Sequence, residues 1–193
     1  MKIDEESGNN RAIFLDRDGT INVDKGYLYR KEDIEYLDGV IDALRILYNM
    51  GFWLVIVTNQ SGIARGYYTE QEFMELDAWI KADLKKYGVR IRATYYCPHC
   101  TEGVITKYAK KCICRKPKTG LFWKAKEELN INMGRSFVIG DKMRDLMICR
   151  ECKITGILLS DKKIKDSRIL TCVSWKEILQ AIMSAMEKEV ENV

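Results

Sequence analysis

Short apolar runs alternate along this chain with longer segments in which apolar residues recur every three to four positions. The longer segments predict helices, and Val40–Asn49 is one of them. The order of the elements predicts an α/β fold, a three-layer Rossmann-like parallel sheet with helices on both faces. Six runs rich in valine, isoleucine, leucine and aromatic residues predict strands buried on both faces: Ala12–Leu15, Phe52–Val57, Ile91–Tyr96, Ser136–Ile139, Gly156–Leu159 and Ile169–Val173.

Two further helices are predicted from the residues that open them. Thr69 with Glu72 has the spacing of a capping box and predicts a helix that ends at about Tyr87. Ser174 with Glu177 predicts a second box and a helix near the end of the chain. Its apolar stripe favours packing on the core over a partner helix, and it comprises positions 175, 178, 179, 182, 183 and 186.

Polar motifs follow three of the predicted strands at their carboxyl ends. Asp16-Arg17-Asp18-Gly19-Thr20 follows the first strand, Thr58–Ser61 follows the second, and Gly140-Asp141 follows the fourth. Ligands of open parallel sheets bind outside the carboxyl ends of the strands. The three motifs therefore predict a functional site at one edge of the sheet.

The two carboxylates of the first motif predict chemistry on phosphate. Asp16 and Asp18 repel each other when they are close, and a divalent cation such as Mg²⁺ relieves that repulsion. One carboxylate can then attack phosphorus while the other handles the proton. Asp141 is placed to complete the metal site, with Asp145 bracing it. The alternatives are an ordinary Asp-Gly turn and acidic capping of a helix that starts near Lys142.

Two further motifs offer groups that stabilise a phosphoryl group. The Thr58 hydroxyl, with the backbone N–H groups of Asn59 and Gln60, could hold a phosphoryl oxygen. Lys116 could neutralise the transferring group. The alternatives are a helix-capping Thr-Asn pair and, for Arg115-Lys116, a solvated pair of cations.

Cysteines crowd into one segment that also contains the only histidine. Five candidate ligands for a tetrahedral Zn²⁺ occur there: Cys97, His99, Cys100, Cys112 and Cys114. A closed site of this kind folds a loop that has no core of its own. Free thiols and a nucleic-acid-binding zinc ribbon are the alternatives. Cys149 and Cys152 form a CxxC, which we interpret as a buried helix face and not as a redox pair.

Composition limits the class of protein. The chain has 193 residues, 47% of them apolar, and a net charge of +4, which suits a binder of small anions. No apolar run reaches the roughly 18 residues that span a membrane, and the segment before Arg11 lacks a signal-peptide core. We expect a single domain over residues 1–193, in the cytoplasm, with its cysteines as thiols or metal ligands.

Taken together, the motifs resemble the haloacid-dehalogenase superfamily of phosphotransferases. The similarity covers about Arg11 to Ser160, in the family's order, and is closest to a small zinc-loop branch without a large cap domain. That branch holds heptose-bisphosphate 7-phosphatases and histidinol-phosphatases. The segments that carry the resemblance are FLDRDGTINVDKGYLY, VIVTNQSGIARGYYTE, YYCPHC with CICRKPKTG, and VIGDKMRD.

The resemblance implies a role for individual residues. Asp16 would be the nucleophile, Asp18 the acid and base, and Thr58 and Lys116 would stabilise the phosphoryl group. Mg²⁺ would be held by Asp16, the Asp18 carbonyl and Asp141. Structural Zn²⁺ would be held, in a loop over about residues 97–114, by Cys97, His99, Cys112 and Cys114. Substrate would be contacted by Asp24, Lys25, Gly26, Tyr27, Thr58, Asn59, Gln60, Ser61, Arg115, Lys116 and Lys142.

The implied activity is a phosphomonoesterase that removes the 7-phosphate of D-glycero-D-manno-heptose 1,7-bisphosphate. It would act as a monomer on a small phosphorylated sugar, with no nucleic acid or membrane partner, on the route to nucleotide-activated heptose. The anomer decides between lipopolysaccharide and glycoprotein or S-layer routes, and no residue indicates which. Histidinol-phosphate hydrolysis and a non-catalytic binding or sensing module are the alternatives. Cys100 stands where the family often has a second histidine, so exchange with His99 as zinc ligand stays open.

Overall fold

A computed structural model describes residues 8–191, which form a six-stranded parallel sheet in the order β3-β2-β1-β4-β5-β6. Each predicted strand is present, β1 with the predicted bounds and the others with ends that differ by at most two residues. Residues 1–7 and 192–193 lie outside the described part, and with them most of the segment before Arg11 and both ends of the predicted domain. The strands are β1 Ala12–Leu15, β2 Trp53–Asn59, β3 Ile91–Cys97, β4 Phe137–Gly140, β5 Thr155–Leu159 and β6 Ile169–Cys172.

Four α-helices connect and cover these strands: α1 Val40–Asn49, α2 Glu70–Lys86, α3 Gly120–Leu129 and α4 Trp175–Glu191. Helix α3 was not predicted. It begins at a glycine, and its N-cap residue Thr119 makes no side-chain capping bond. The Thr119 hydroxyl donates instead to Glu151, at 2.7 Å. The helix expected near Lys142 is a 3₁₀-helix, and the three 3₁₀-helices are Lys31–Asp33, Met133–Arg135 and Met143–Arg150.

One of the two predicted capping boxes is complete. The Thr69 hydroxyl accepts from the Glu72 N–H at 3.1 Å, and the Glu72 carboxylate accepts from the Thr69 N–H at 2.7 Å. At the start of α4 only half of the box forms. The Ser174 hydroxyl accepts from the Glu177 N–H at 3.3 Å, but the Glu177 carboxylate reaches past it to the N–H of Val173.

The sheet separates two apolar layers, as the sequence predicts. On β1, Ile13 and Leu15 point into the layer that α1, α2 and α4 cover. Ala12 and Phe14 point into the opposite layer, which α3 and the Met143–Arg150 helix cover. The predicted stripe of α4 packs on the core, except that Met183 is 44% exposed and lies outside it. No helix in the described residues is both long and apolar enough to cross a bilayer.

The ends of the strands determine where polar side chains gather. Strand β1 pairs with β2 on one side and with β4 on the other, so the chain changes direction across the sheet between β1 and β4. Such a switch point opens a crevice at the carboxyl edge. The loop after β1 is tied to the opposite end of the chain, because the Trp175 indole N–H donates to the Thr20 carbonyl at 2.9 Å.

The segment between β3 and α3, residues 98–119, contains no helix or strand of its own. It packs against the turn after β2, where the Ile105 N–H donates to the Ala64 carbonyl at 3.0 Å. A Cβ atom at Gly103 would lie 2.6 Å from that same carbonyl oxygen, so this close approach requires glycine. We call residues 97–114 the cysteine loop. It stands beside the carboxyl edge of the sheet, and Arg115, which directly follows it, lines the crevice.

Candidate active site

Asp16 lies at the base of the crevice, directly after β1. Its side chain is 7% exposed, and its N–H donates to the Ile139 carbonyl of the neighbouring strand at 3.0 Å. Burial raises the pKa of Asp16, while the ammonium of Lys116 opposes that rise. A carboxylate fixed in this way is well placed to react with a group bound above the sheet edge.

Lys116 reaches the same point from the end of the cysteine loop. Its Nζ lies 2.8 Å from carboxylate oxygens of both Asp16 and Asp145, and it donates to the Val57 carbonyl at 2.6 Å. Burial alone would lower the pKa of Lys116, but the two carboxylates outweigh it and raise that pKa. The lysine therefore stays charged beneath the crevice.

The carboxylate of Asp18 is held by three neighbouring side chains. Arg17 donates to both of its oxygens, at 3.1 and 2.9 Å, and Asn22 and Gln60 donate at 3.1 and 3.2 Å. Arg17 is itself 1% exposed. This network holds the Asp18 carboxylate at the wall of the crevice. Neither Arg17 nor Asn22 was predicted to take part in the site.

Thr58 lies inside β2 and not just after it as predicted. Its hydroxyl accepts from the side-chain NH₂ of Gln60 at 2.9 Å, and the side-chain oxygen Oε1 of Gln60 accepts from the Tyr68 hydroxyl at 2.6 Å. Asn59 uses both ends of its amide on the backbone of Lys116, each at 3.0 Å. The last residue of β2 therefore positions Lys116, and the turn after β2 orients the hydroxyl of Thr58.

The carboxylates beside Asp16 fit a divalent cation. Oxygens of Asp16, Asp141 and Asp145 lie within 4.8 Å of one another. Asp141 Oδ1 is buried and has no hydrogen-bond partner among the described residues, and burial and Asp16 raise the pKa of Asp141. Gly19 approaches so closely that a Cβ there would lie 2.5 Å from Asp141. The other carboxylate oxygen of Asp141, Oδ2, lies 3.2 Å from the Nζ of Lys142. A buried carboxylate oxygen without a partner is costly, and a cation bound there would satisfy it.

Two further carboxylates near the sheet edge, those of Asp145 and Asp18, are held by hydrogen bonds and ion pairs to other residues. The Asp145 carboxylate is already engaged by Lys116 and by the Lys142 N–H, at 2.8 and 3.1 Å. The carboxylate of Asp18 lies outside the metal-ligand group. Asp16 shares Lys116 with Asp145, and Asp141 Oδ2 lies 3.2 Å from the Nζ of Lys142. The buried Oδ1 of Asp141, which has no hydrogen-bond partner among the described residues, makes Asp141 the first candidate ligand for a cation.

The cysteine loop brings together the four predicted zinc ligands. The His99 Nδ1 and the sulfurs of Cys97, Cys112 and Cys114 lie 3.2–3.7 Å apart in the four recorded contacts. A tetrahedral Zn²⁺ with sulfur ligands has edges of about 3.8 Å. Cys100 is buried but lies outside this group, and its N–H donates to the Tyr108 carbonyl. The donor set therefore fits zinc with His99 and without Cys100.

A cavity of about 270 Å³ lies above Asp16 and Asp18. Two predicted substrate residues, Lys25 and Lys116, do not line it. The ammonium of Lys25 lies 3.0 Å from Glu35 instead, and Lys116 is buried beneath the cavity with 2% exposure. Burial acts to raise the pKa of Asp24, but hydrogen bonds from Lys142 and a backbone N–H hold it below its usual value. The predicted substrate residues that line the cavity are Asp24, Gly26, Tyr27, Thr58, Asn59, Gln60, Ser61, Arg115 and Lys142, and the lining residues that the prediction missed are Arg65, Tyr68 and Arg144.

The CxxC of Cys149 and Cys152 lies away from this cavity. Cys149 is 2% exposed and packs in the layer beneath α3, and burial raises the pKa of its thiol to about 12. Such a thiol is protonated at neutral pH and therefore unreactive. These observations favour the interpretation of Cys149 as a packing residue.

Comparisons with solved structures define the class of protein. A HAD-like phosphatase from Mesorhizobium loti superposes with a TM-score of 0.80 over 92% of this chain and 88% of the other, at 29% identity. D,D-heptose 1,7-bisphosphate phosphatase from B. bronchiseptica, complexed with magnesium and phosphate, superposes with a TM-score of 0.77 at 22% identity, over 91% and 99% of the two chains. The fold is that of a phosphatase of the haloacid-dehalogenase superfamily.

Sequence comparisons identify the family. A family model described as polynucleotide kinase 3 phosphatase matches residues 11–146. D-glycero-beta-D-manno-heptose-1,7-bisphosphate 7-phosphatase of Yersinia pestis is 50% identical over 79% of this chain and 81% of its own length. The protein of that name from Escherichia coli K12 is 50% identical over 70% and 71%. The chain therefore belongs to the family of these heptose-bisphosphate phosphatases and is a phosphoric monoester hydrolase.

Proposed function

We propose that this enzyme removes the 7-phosphate of D-glycero-β-D-manno-heptose 1,7-bisphosphate and leaves the 1-phosphate. The observation that carries the proposal is the 50% identity, over most of both chains, to enzymes named for that reaction. The β anomer is the part that sequence reasoning left open, and the names of these relatives support it. The product would be a sugar 1-phosphate, the form that nucleotide activation requires on the route to lipopolysaccharide.

The geometry at the sheet edge supports two steps through one covalent intermediate. In the first, an Asp16 carboxylate oxygen bonds to phosphorus while the bond from phosphorus to the sugar oxygen breaks, and Asp18 donates the proton that this oxygen needs. In the second, Asp18 takes a proton from water, the water oxygen bonds to phosphorus, and the bond to Asp16 breaks. Thr58 and Lys116 stabilise the negative charge on the phosphoryl oxygens in both steps.

Asp16 and Asp141, with the Asp18 carbonyl, would hold Mg²⁺, which supplies neutralising charge to the phosphoryl oxygens. The unpartnered Asp141 oxygen supports this assignment. The four donors of the cysteine loop would hold a structural Zn²⁺ that fixes the wall carrying Arg115. We also propose that the enzyme is a cytoplasmic monomer whose partner is a small phosphorylated sugar.

The test is phosphate release by the purified protein with Mg²⁺. The panel contains both anomers of the heptose bisphosphate, histidinol phosphate, fructose 1,6-bisphosphate and a 3′-phosphorylated oligonucleotide, because the matched family model is named for a 3′-phosphatase. We expect the β anomer to exceed every other substrate in kcat/KM, by at least about 100-fold over the α anomer, or ~2.7 kcal/mol of transition-state binding. Asp16→Asn should abolish release.

Two results would contradict the proposal. Preference for histidinol phosphate or the oligonucleotide would retain the mechanism and replace the substrate. No release from any substrate, with the protein folded and loaded with Mg²⁺, would favour the non-catalytic alternative.

A further inference from the structure

Arg65 lies where two cavities meet. It lines the active-site cavity, and together with Arg115 it also lines a second cavity of about 370 Å³ along the cysteine loop. Four further cations line that second cavity: Lys110, Lys111, Lys116 and Lys118. A ligand bound at Asp16 that extends toward the loop therefore passes Arg65 and enters a strongly positive region.

The present partner of Arg65 is easily exchanged. Its Nη2 lies 2.9 Å from a carboxylate oxygen of Glu102, whose side chain is 77% exposed. Exposed ion pairs are weak, whereas a guanidinium binds phosphate through two parallel hydrogen bonds. The Nε of Arg65 is buried and has no hydrogen-bond partner among the described residues. Arg65 therefore has donor capacity that Glu102 does not satisfy.

Both residues of this pair are held by the backbone. The Arg65 N–H donates to the Ser61 carbonyl at 3.1 Å, which fixes the turn after β2. Glu102 belongs to the cysteine loop, which is joined to the same turn by the bond from Ile105 to Ala64. The Arg65 side chain is thus presented to the crevice by a rigid frame, and exchange of its partner requires movement of the exposed Glu102 side chain only.

The geometry points to Arg65 as a specificity-determining residue that binds the phosphate group which is not hydrolysed. In the free enzyme the Glu102 carboxylate is bound to the Arg65 guanidinium in place of that phosphate. The inference rests on the proposed function, because it needs a substrate with two phosphates. A bisphosphate displaces the Glu102 carboxylate from Arg65. A monophosphate leaves the Arg65–Glu102 ion pair intact and gains no binding energy from Arg65.

The test compares two substrates across a mutant cycle in the full chain with Mg²⁺. The substrates are the heptose 1,7-bisphosphate and the heptose 7-phosphate, and the variants are Arg65→Met, Glu102→Gln and the double variant. We expect Arg65→Met to lower kcat/KM for the bisphosphate at least about 20-fold more than for the monophosphate. Glu102→Gln removes a competitor and should raise kcat/KM for the bisphosphate about 2- to 5-fold, but not when Arg65 is absent.

Arg45 and Asp42 provide the matched control, since they form an exposed arginine–carboxylate pair of 2.7 Å on α1, outside the crevice. Arg45→Met and Asp42→Asn should leave the ratio between the substrates unchanged. If Arg65→Met does not fold, Arg65→Lys is the substitute, because it keeps the charge but not the two parallel donors of the guanidinium. It should also lower kcat/KM more for the bisphosphate than for the monophosphate, by a smaller factor.

Three results would overturn the inference. Equal losses of kcat/KM on both substrates in Arg65→Met would show that Arg65 has a structural role only. An unchanged kcat/KM in Glu102→Gln would show that Glu102 does not compete with a substrate phosphate for Arg65. In both cases wild-type hydrolysis of the bisphosphate would leave the proposed function standing. Hydrolysis of neither heptose substrate by the wild type would overturn the inference and the proposed function together.

Discussion

The ammonium of Lys116 lies 2.8 Å from the carboxylate of Asp16, from which it is separated by 100 residues of sequence. The lysine side chain is 1% exposed, and its second carboxylate partner, Asp145, is equally buried. One cation is therefore shared by two carboxylates inside the protein, and folding brings them together before any substrate arrives.

Replacement of Lys116 by Met should cost stability as well as activity. Asp16 and Asp145 would stay buried without their counter-charge, and the loss of one member of such a group typically costs about 3–5 kcal/mol. We expect that loss in urea unfolding of the metal-free protein, together with loss of phosphate release. The double variant with Asp145→Asn should be destabilised by less than the sum of the single variants.

Lys124→Met is the matched control, because Lys124 is exposed and lies 3.8 Å from Glu128 on α3. It should change stability by less than about 0.5 kcal/mol. Wild-type stability in Lys116→Met would contradict the idea that the lysine neutralises the two carboxylates.

The ligands of the cysteine loop can be distinguished by single cysteine substitutions. Cys100→Ser should retain about one equivalent of zinc, because Cys100 lies outside the group formed by Cys97, His99, Cys112 and Cys114. Cys112→Ser should lose zinc and lower the unfolding temperature, since the loop has no secondary structure of its own. Elemental analysis and thermal unfolding measure both effects. Loss of zinc in Cys100→Ser with retention in a His99→Ala variant would restore the alternative ligand set.

Magnesium should stabilise the protein more at about pH 8 than at about pH 5. Burial, and then Asp16, raise the pKa of Asp141. In the metal-free protein a carboxyl with a raised pKa contributes stability below its unfolded pKa and loses that contribution as the pH rises through its folded value. Protons and Mg²⁺ compete for the carboxylate, so the increase in unfolding temperature on adding millimolar Mg²⁺ should grow with pH.

Asp141→Asn is the corresponding test variant, because it keeps the shape of the side chain and removes the charge. It should show almost no stabilisation by Mg²⁺ at either pH. An undiminished shift in this variant would exclude Asp141 as a ligand.

The sheet could be predicted from sequence because its strands are short apolar runs buried on both faces. The carboxyl-edge rule then placed Asp16, Thr58 and Asp141 together, although they lie far apart in the chain. Helix α3 was not predicted, since its N-cap residue Thr119 is followed by a glycine and not by the spacing of a capping box. Helical periodicity also wrongly placed Met183 in the buried stripe of α4, since its side chain is 44% exposed.

The parts of the site that escaped sequence reasoning are those that hold other residues in place. Arg17 and Asn22 position Asp18 through hydrogen bonds that depend on how the loop after β1 folds back. Asn59, a predicted substrate contact that lines the cavity, also uses its side-chain amide on the backbone of Lys116. No spacing in the sequence distinguishes a polar side chain that faces the ligand from one that fixes a neighbour.

Tyr68 provides a test of how that positioning contributes to catalysis. Its hydroxyl donates to Gln60, whose amide donates in turn to both Asp18 and Thr58. Tyr68→Phe removes the hydroxyl but keeps the ring stacked on Tyr29 at 5.4 Å. We expect stability to fall by about 1 kcal/mol and kcat by about 10-fold, with KM nearly unchanged, because Asp18 and Thr58 lose a shared constraint that matters most in the transition state.

Tyr95→Phe controls for the loss of a buried hydroxyl. Tyr95 is also buried, and its hydroxyl donates to Glu128 at 2.8 Å, away from the crevice. This variant should lose similar stability with its kcat intact. An equal fall in kcat for both variants would indicate a general effect of destabilisation, whereas a fall confined to Tyr68→Phe would identify Gln60 as the residue through which Tyr68 acts on Asp18 and Thr58.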